Sequence, residues 1–246
     1  MKVLEKGARA LKVLLKLEPP ITPGQFQLES LPALLGTQSP TILEIGCNDG
    51  TETNRFLDLF GKDCRVYAFE PDPRAIKRFR QRVTDRRATL FELAIADRDG
   101  IAEFFVSDGK PTAPGYESLR PEGWDLSGSI RKPKEHLVQH PWCRFDEKIT
   151  IQTQSLDNWS RLQNVKAIDF IWVDVQGAEA DLIRGATESL KQTRYVYTEY
   201  SNKQLYEGQL NLRQLLKLLP DFEVVHRYVG DVLLRNKKLS ASKLAA

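Results

Sequence analysis

Thr41-Ile42-Leu43-Glu44-Ile45-Gly46-Cys47-Asn48-Asp49-Gly50 reads as an apolar strand that runs into a glycine-punctuated turn. A helix is expected to follow over residues 51–60. A second apolar run, Val66-Tyr67-Ala68-Phe69, then stops at Glu70-Pro71. Strand, glycine turn, helix and a strand closing on a carboxylate form a nucleotide-binding βαβ unit. Glycine lets the backbone approach the ligand, and the acid takes ribose hydroxyls. The turn departs from the dinucleotide pattern, because it reads Gly-x-x-x-Gly rather than Gly-x-Gly-x-x-Gly and carries Asp49, with Glu44 just ahead. A pyrophosphate seated there would face like charge in a partly desolvated crevice, which is costly. A ligand with adenosine, a positive centre and no phosphate avoids that cost. S-adenosylmethionine, with its sulfonium and ammonium groups, is such a ligand.

From Thr41 onward the pattern alternates strand and helix, which predicts an α/β fold. Strands are expected at 41–46, 65–70, 88–95, 101–106, 148–154, 168–174, 194–200, 222–229 and 231–235. Helices are expected near 51–60, 73–83, 156–163, 178–190 and 209–219. Ile168-Asp169-Phe170-Ile171-Trp172-Val173 is apolar on both faces, the mark of a parallel strand covered by helices on both sides. The last two strands meet at Val229-Gly230 and predict an antiparallel hairpin at the sheet edge. The chain is read as one domain over 1–246, with a helical N-terminal extension at 1–35 and a Rossmann-like core at 38–236. Residues 107–147 lack a clear period and are rich in Pro, Gly, Ser, Trp and His. A stretch of that length inside a compact domain is functional or disordered. Trp124, Trp142 and Phe145 favour order, so a lid or substrate-binding insertion is expected.

At 246 residues, 41% hydrophobic and 28% charged, the chain suits one sizeable α/β domain with insertions. A net charge of +3 is no nucleic-acid footprint. The densest basic run, Arg74 to Arg87, is read first as a solvated helix face, with an anion or RNA patch as the alternative. Cys47, Cys64 and Cys143 lack metal-ligand spacing and are read as free thiols in a reducing, cytoplasmic setting. No transmembrane segment is found. Residues 1–17 place Leu4, Ala8, Leu11 and Leu15 on one helical stripe with lysines interspersed. That segment is read as a helix packing on the domain or in a homodimer, with a membrane-surface helix as the sharper alternative.

In open α/β sheets ligands bind beyond the carboxyl ends of the strands, where strand order reverses. The residues expected there are Glu44 to Gly50, Glu70, Ala94-Ile95-Ala96-Asp97, Asp174 and Glu199. Gly46 and Gly50 would bring the turn close to the methionine end, with Asn48 and Asp49 in polar contact with it. Glu70, followed by Pro71, would accept both ribose hydroxyls. Ala94 and Ile95 would line the adenine, with Asp97 accepting from its amino group. Asp174, closing its strand ahead of Val175-Gln176-Gly177-Ala178-Glu179, is placed to orient or deprotonate an acceptor hydroxyl, and Glu199 to share that task. His136 in the lid is the other candidate base, with His140 beside it. No dense acidic cluster demands a metal, and none is assigned.

Four blocks together resemble the FkbM-type methyltransferases: Leu43 to Gly50, Phe69-Glu70-Pro71-Asp72, Ser155-Leu156-Asp157, and Ile171 to Glu179. The closing Gly230 to Asn236 is similar to that family's end. The resemblance implies a class I methyltransferase fold with a mostly parallel seven-stranded sheet. It also implies S-adenosylmethionine as cofactor and O-methylation of a hydroxyl on a small-molecule or saccharide acceptor. Two other classes stay open at this point. One is an NAD(P)-dependent oxidoreductase on a similar sheet, disfavoured by the missing third glycine and by Asp49. The other is a non-catalytic binding protein that has kept the fold.

Overall fold

The computed structural model describes residues 19–111 and 123–240. The amphipathic segment 1–17 and the dimer contact expected of it lie outside the described residues. The strands are β1 (Thr41–Ile45), β2 (Arg65–Phe69), β3 (Ala88–Phe91), β4 (Ala94–Ile95), β5 (Gly100–Gly109), β6 (Cys143–Gln154), β7 (Ile168–Val173), β8 (Thr193–Glu199), β9 (Phe222–Arg227) and β10 (Asp231–Asn236). Seven of them form one sheet in the order β3-β2-β1-β7-β8-β10-β9. β1, β2, β3, β7 and β8 run parallel, and β10 lies antiparallel between β8 and β9. The order reverses between β1 and β7, so the crevice of this fold opens beyond those two strand ends.

Alternation along the strands divides the core into two layers. Leu43 and Ile45 of β1 join Ile171, Trp159, Leu182 and Leu215 on one face of the sheet. Ile42 joins Phe56, Leu57, Phe170 and Tyr197 on the other. Glu44 shares a face with Ile42, which aims it at the helix Thr51–Leu59. Phe26, Leu28, Leu31 and Leu35 are buried in that same layer. The part of the N-terminal extension that the structure describes is therefore sheet cover rather than an appendage. Each such side chain contributes up to about 1.5–3 kcal/mol through removal from water.

Four expected elements differ from what is observed. The strand expected at 88–95 is two strands: β3 completes the main sheet, and β4 turns away to pair with β6 in a second sheet of order β4-β6-β5. The strands expected at 101–106 and 148–154 are longer, because β5 and β6 run on as an antiparallel pair through Asp108–Arg144 and Gly109–Cys143. Their extensions carry charged residues that hid the strand period, including Arg144 against Asp108 at 3.1 Å. The helix expected at 178–190 breaks into Glu179–Arg184 and Thr187–Lys191. Gly185 lies at the break, where a Cβ would stand 2.0 Å from the Ala96 carbonyl oxygen. The Asp157 carboxylate accepts from the backbone N–H groups of Glu188 and Ser189 and so caps the second piece. Among the described residues no helix is long and apolar enough to cross a membrane.

The turn after β1 is fixed by its neighbours. Gly46 N–H and Cys47 N–H both donate to the Phe69 carbonyl, at 2.9 and 3.0 Å, and Asp174 N–H donates to Ile45 O at 2.9 Å. Gly46 has φ +89°, and a Cβ there would lie 1.8 Å from the Asp174 carbonyl oxygen. Gly230, in the β9–β10 turn, has φ +87° with open space around the same position. The two glycines therefore separate backbone strain from collision. Gly230→Ala is expected to cost about 1–2 kcal/mol, the left-handed strain alone. Gly46→Ala is expected to cost at least about 3 kcal/mol, because the backbone of two strands must move. Urea unfolding of the three proteins measures both, and equal costs would remove the close approach from the account.

Candidate active site

The crevice beyond β1 and β7 is open to solvent, and the space in it and at its mouth amounts to about 630 Å³. Its floor is the glycine turn, where Gly46 and Asn48 line it directly. Gly50, Asp49 and Glu44 build the turn from behind. Gly50 has φ +78° and abuts Phe79 and Val83. Asp49 accepts from Thr51 N–H at 3.2 Å and from the Thr51 hydroxyl at 2.7 Å, with Arg82 at 3.2 Å. Glu44 is buried and accepts from the Thr53 hydroxyl, and burial holds its carboxyl well above the usual range. These two acids anchor the helix Thr51–Leu59 rather than face the crevice.

Glu70 and Pro71 stand at the end of β2 and line the next wall. The Glu70 carboxylate is fixed by two backbone donors: Asn48 N–H at 2.9 Å to Oε2, and Asp72 N–H at 2.8 Å to Oε1. Each oxygen keeps a lone pair for a further donor. Burial raises the carboxyl to about 7, against the opposing pull of the two N–H groups. Leu93, Ala94 and Ile95 supply an apolar wall, which exists because β4 leaves the main sheet. Asp97 falls outside it, and its carboxylate pairs with Arg98 at 2.8 Å.

On the far side, Asp174 lines the crevice and Glu199 ends the adjoining strand β8. Gln176 Nε2 donates to Asp174 Oδ1 at 2.5 Å and to Glu199 Oε2 at 3.4 Å. Burial raises both carboxyls, and the ionised neighbours that act on the pair are acidic: Glu52 on Asp174, and Glu179 and Asp231 on Glu199. Glu179 accepts from Gly177 N–H at 3.0 Å, and burial lifts its carboxyl to about 7. No group of three or more His, Cys, Asp and Glu among the described residues is arranged to hold a metal ion.

The lid closes the top. Leu126, Gly128, Ser129 and Ile130 line the crevice with Asp125. Asn48 Nδ2 donates to the Asp125 carbonyl at 3.3 Å, tying the lid to the glycine turn. The Asp125 carboxylate pairs with Arg78, and Arg131 forks onto Asp181 on the helix Glu179–Arg184. Arg78 belongs to the run expected to be a solvated face, and that helix instead spends Arg74, Arg78 and Arg82 on Asp72, Asp125 and Asp49. His136 lies off the crevice lining. Its buried ring packs against His140, Phe145 and Tyr206 at 4.8, 5.2 and 5.4 Å between centroids. Burial first, and His140 second, push it down to about 4, so the imidazole is neutral at pH 7.

Sequence reasoning passed over Asp125, Arg78 and Tyr206. Tyr206 O–H lies 2.8 Å from the Ser127 carbonyl and 3.3 Å from Gln176 Oε1, so it joins lid to strand ends. It sits in an aperiodic segment after β8, where a single aromatic residue was the only signal. Asp125 lay in the stretch without a period, and its partner was hidden among surface-like arginines.

The chain matches the FkbM methyltransferase domain over residues 44–233. It is 50% identical over 212 residues to the 2-O-methyltransferase NoeI of Sinorhizobium fredii, with 84% of each chain covered. Among solved structures it is similar to a putative O-methyltransferase from Klebsiella pneumoniae, at 14% identity and TM-score 0.48 over 93% of this chain and 94% of that one. It is also similar to an O-methyltransferase from Bacillus cereus in complex with SAH, at 14% identity and TM-score 0.45 over 96% and 91%. With the domain matched from β1 into β10 and half of the aligned residues shared with a methyltransferase, the chain belongs to the FkbM methyltransferase family.

Proposed function

We propose that this protein transfers the methyl group of S-adenosylmethionine to a hydroxyl oxygen of a saccharide or a related polyhydroxylated small molecule, within a reducing cytoplasm. The observation that carries the reading is the charge of the crevice. Among the described residues its lining includes Glu70 and Asp174, with Asp125 already paired to Arg78, and no Lys or Arg. Such a wall favours a ligand with sulfonium and ammonium groups and opposes a pyrophosphate, which argues against the NAD(P)-dependent alternative. The 2-O-methyltransferase relative supports a hydroxyl oxygen as the acceptor.

In this reading Glu70 holds the ribose hydroxyls, the Gly46–Asn48 turn receives the methionine end, and Leu93 to Ile95 cover the adenine. The cofactor supplies an electrophilic methyl group on a sulfonium centre. Asp174 accepts the proton of the acceptor hydroxyl as the new C–O bond forms, with Glu199 beside it. A raised carboxyl makes that acid a stronger base than a surface aspartate. Most of the acceleration comes from holding the two reactants in line while Leu126 to Ile130 exclude water. Incubation with methyl-labelled cofactor and a panel of mono- and oligosaccharides is expected to place label on a hydroxyl oxygen. Absence of any such label, together with tight binding of a pyrophosphate coenzyme in calorimetry, would overturn the reading.

Asp174→Asn is expected to keep the fold and lower turnover by about 10²–10⁴-fold, with cofactor affinity changed far less. Rapid-quench turnover and equilibrium dialysis measure the two quantities, and unchanged turnover would remove Asp174 from the base role. Cofactor binding should also follow Glu70, whose ionised form accepts the ribose hydroxyls. Its carboxyl titrates at about 7 in the free protein. Affinity should therefore plateau above that pH and fall toward tenfold per unit below it, with protons released on binding. Calorimetry in buffers of different ionisation enthalpy checks this, and affinity that is flat across the range would refute it.

A further inference from the structure

We infer that Gln176 is the positioning residue of the Asp174–Glu199 pair, and that Tyr206 holds its amide in place. The inference rests on the proposed base role of Asp174. Gln176 stands at φ +49°, a left-handed backbone that a non-glycine side chain seldom adopts. Gly177 follows at φ +92°, where a Cβ would collide with the Tyr206 side chain at 2.7 Å. This two-residue turn folds the Gln176 amide back over the strand ends. There its two N–H groups serve two carboxylates, Asp174 at 2.5 Å and Glu199 at 3.4 Å. Its carbonyl oxygen faces the Tyr206 hydroxyl at 3.3 Å. Tyr206 is 1% exposed and is itself fixed to the Ser127 carbonyl of the lid.

The pair needs such a donor. Among the described residues, the titratable groups that face it are Glu44 of β1, Glu52 of the following helix, Glu70 at the end of β2, Glu179 after β7, Tyr197 of β8, Asp231 of β10, and Tyr206. None carries positive charge. Two adjacent carboxyls in such company retain protons unless hydrogen bonds favour the ionised form. The Gln176 amide supplies those bonds without a charge that would repel a cationic cofactor. It also fixes which Asp174 oxygen is engaged, leaving the other to the acceptor. An arginine there would ionise the pair more fully but make Asp174 a weaker base.

The test compares the parent with Gln176→Leu, Gln176→Asn and Tyr206→Phe. Gln176→Leu removes the donors at similar size. Gln176→Asn suits the left-handed backbone but cannot reach both acids. Both are expected to move the acid limb of the kcat–pH profile up by about one unit and to lower turnover at neutral pH roughly tenfold, with cofactor Kd within about threefold of the parent. Tyr206→Phe should give a smaller shift in the same direction. Carbon-13 NMR titration of the Asp174 and Glu199 carboxyls reads the same shift without catalysis, so it tests the inference even if no saccharide accepts methyl. An unchanged carboxyl titration in Gln176→Asn overturns it, whatever the fate of Gln176→Leu. Restored activity in Gln176→Asn with an unshifted profile also overturns it, assigning Gln176 to the turn's backbone alone.

Discussion

Gly46 and the Asp174 carbonyl occupy space that admits no side chain between them, and most of the site follows from that contact. With β1 and β7 this close at their carboxyl ends, the Phe69 carbonyl can take two N–H groups from the turn while Ile45 takes one from Asp174. Three strands are thus pinned at one point. Glu70, Asn48 and Asp174 emerge around it at positions set by backbone hydrogen bonds rather than by side-chain rotamers. Such bonding in a partly desolvated crevice is stiff, and stiffness is what a near-attack geometry requires.

A second constraint is electrostatic. The acids at this end of the sheet are numerous, yet they fall into two groups by partner. Asp49, Asp72, Asp125 and Asp181 are neutralised by arginines and serve as fasteners for helices and lid. Glu70, Asp174, Glu179 and Glu199 are held by N–H donors and keep raised proton affinities. The first group gives the site its shape, and in the proposed function the second receives a cation and a proton. Placing arginines only behind the wall keeps the two functions from interfering.

The glycine turn, Glu70 and the Asp174 to Glu179 block were legible because strand ends and tight turns leave local marks: an apolar run, a glycine, an acid. The parallel core was legible for the same reason. What the sequence concealed was anything settled by partners distant along the chain. Glu44 reads like its neighbours in the motif, yet alternation turns it toward Thr53. His136 looks like a base in a list of residues, but its ring is enclosed by Phe145 and Tyr206. Asp125 and Arg78 are separated by 47 positions, Asp125 in a stretch without a period and Arg78 among the arginines of an amphipathic helix. The break between β3 and β4 lies inside a continuous strand-like run, and only the competing sheet decides it.

That break has an architectural consequence. β4 follows β3 along the chain but pairs with β6 in the second sheet, Ala94 with Thr153 and Ile95 with Gln154. The long β5–β6 pair thus stands apart from the main sheet, next to the Leu93–Ile95 wall of the crevice. Its length can change without moving the register of β1, β2 and β7, since none of the three pairs with it.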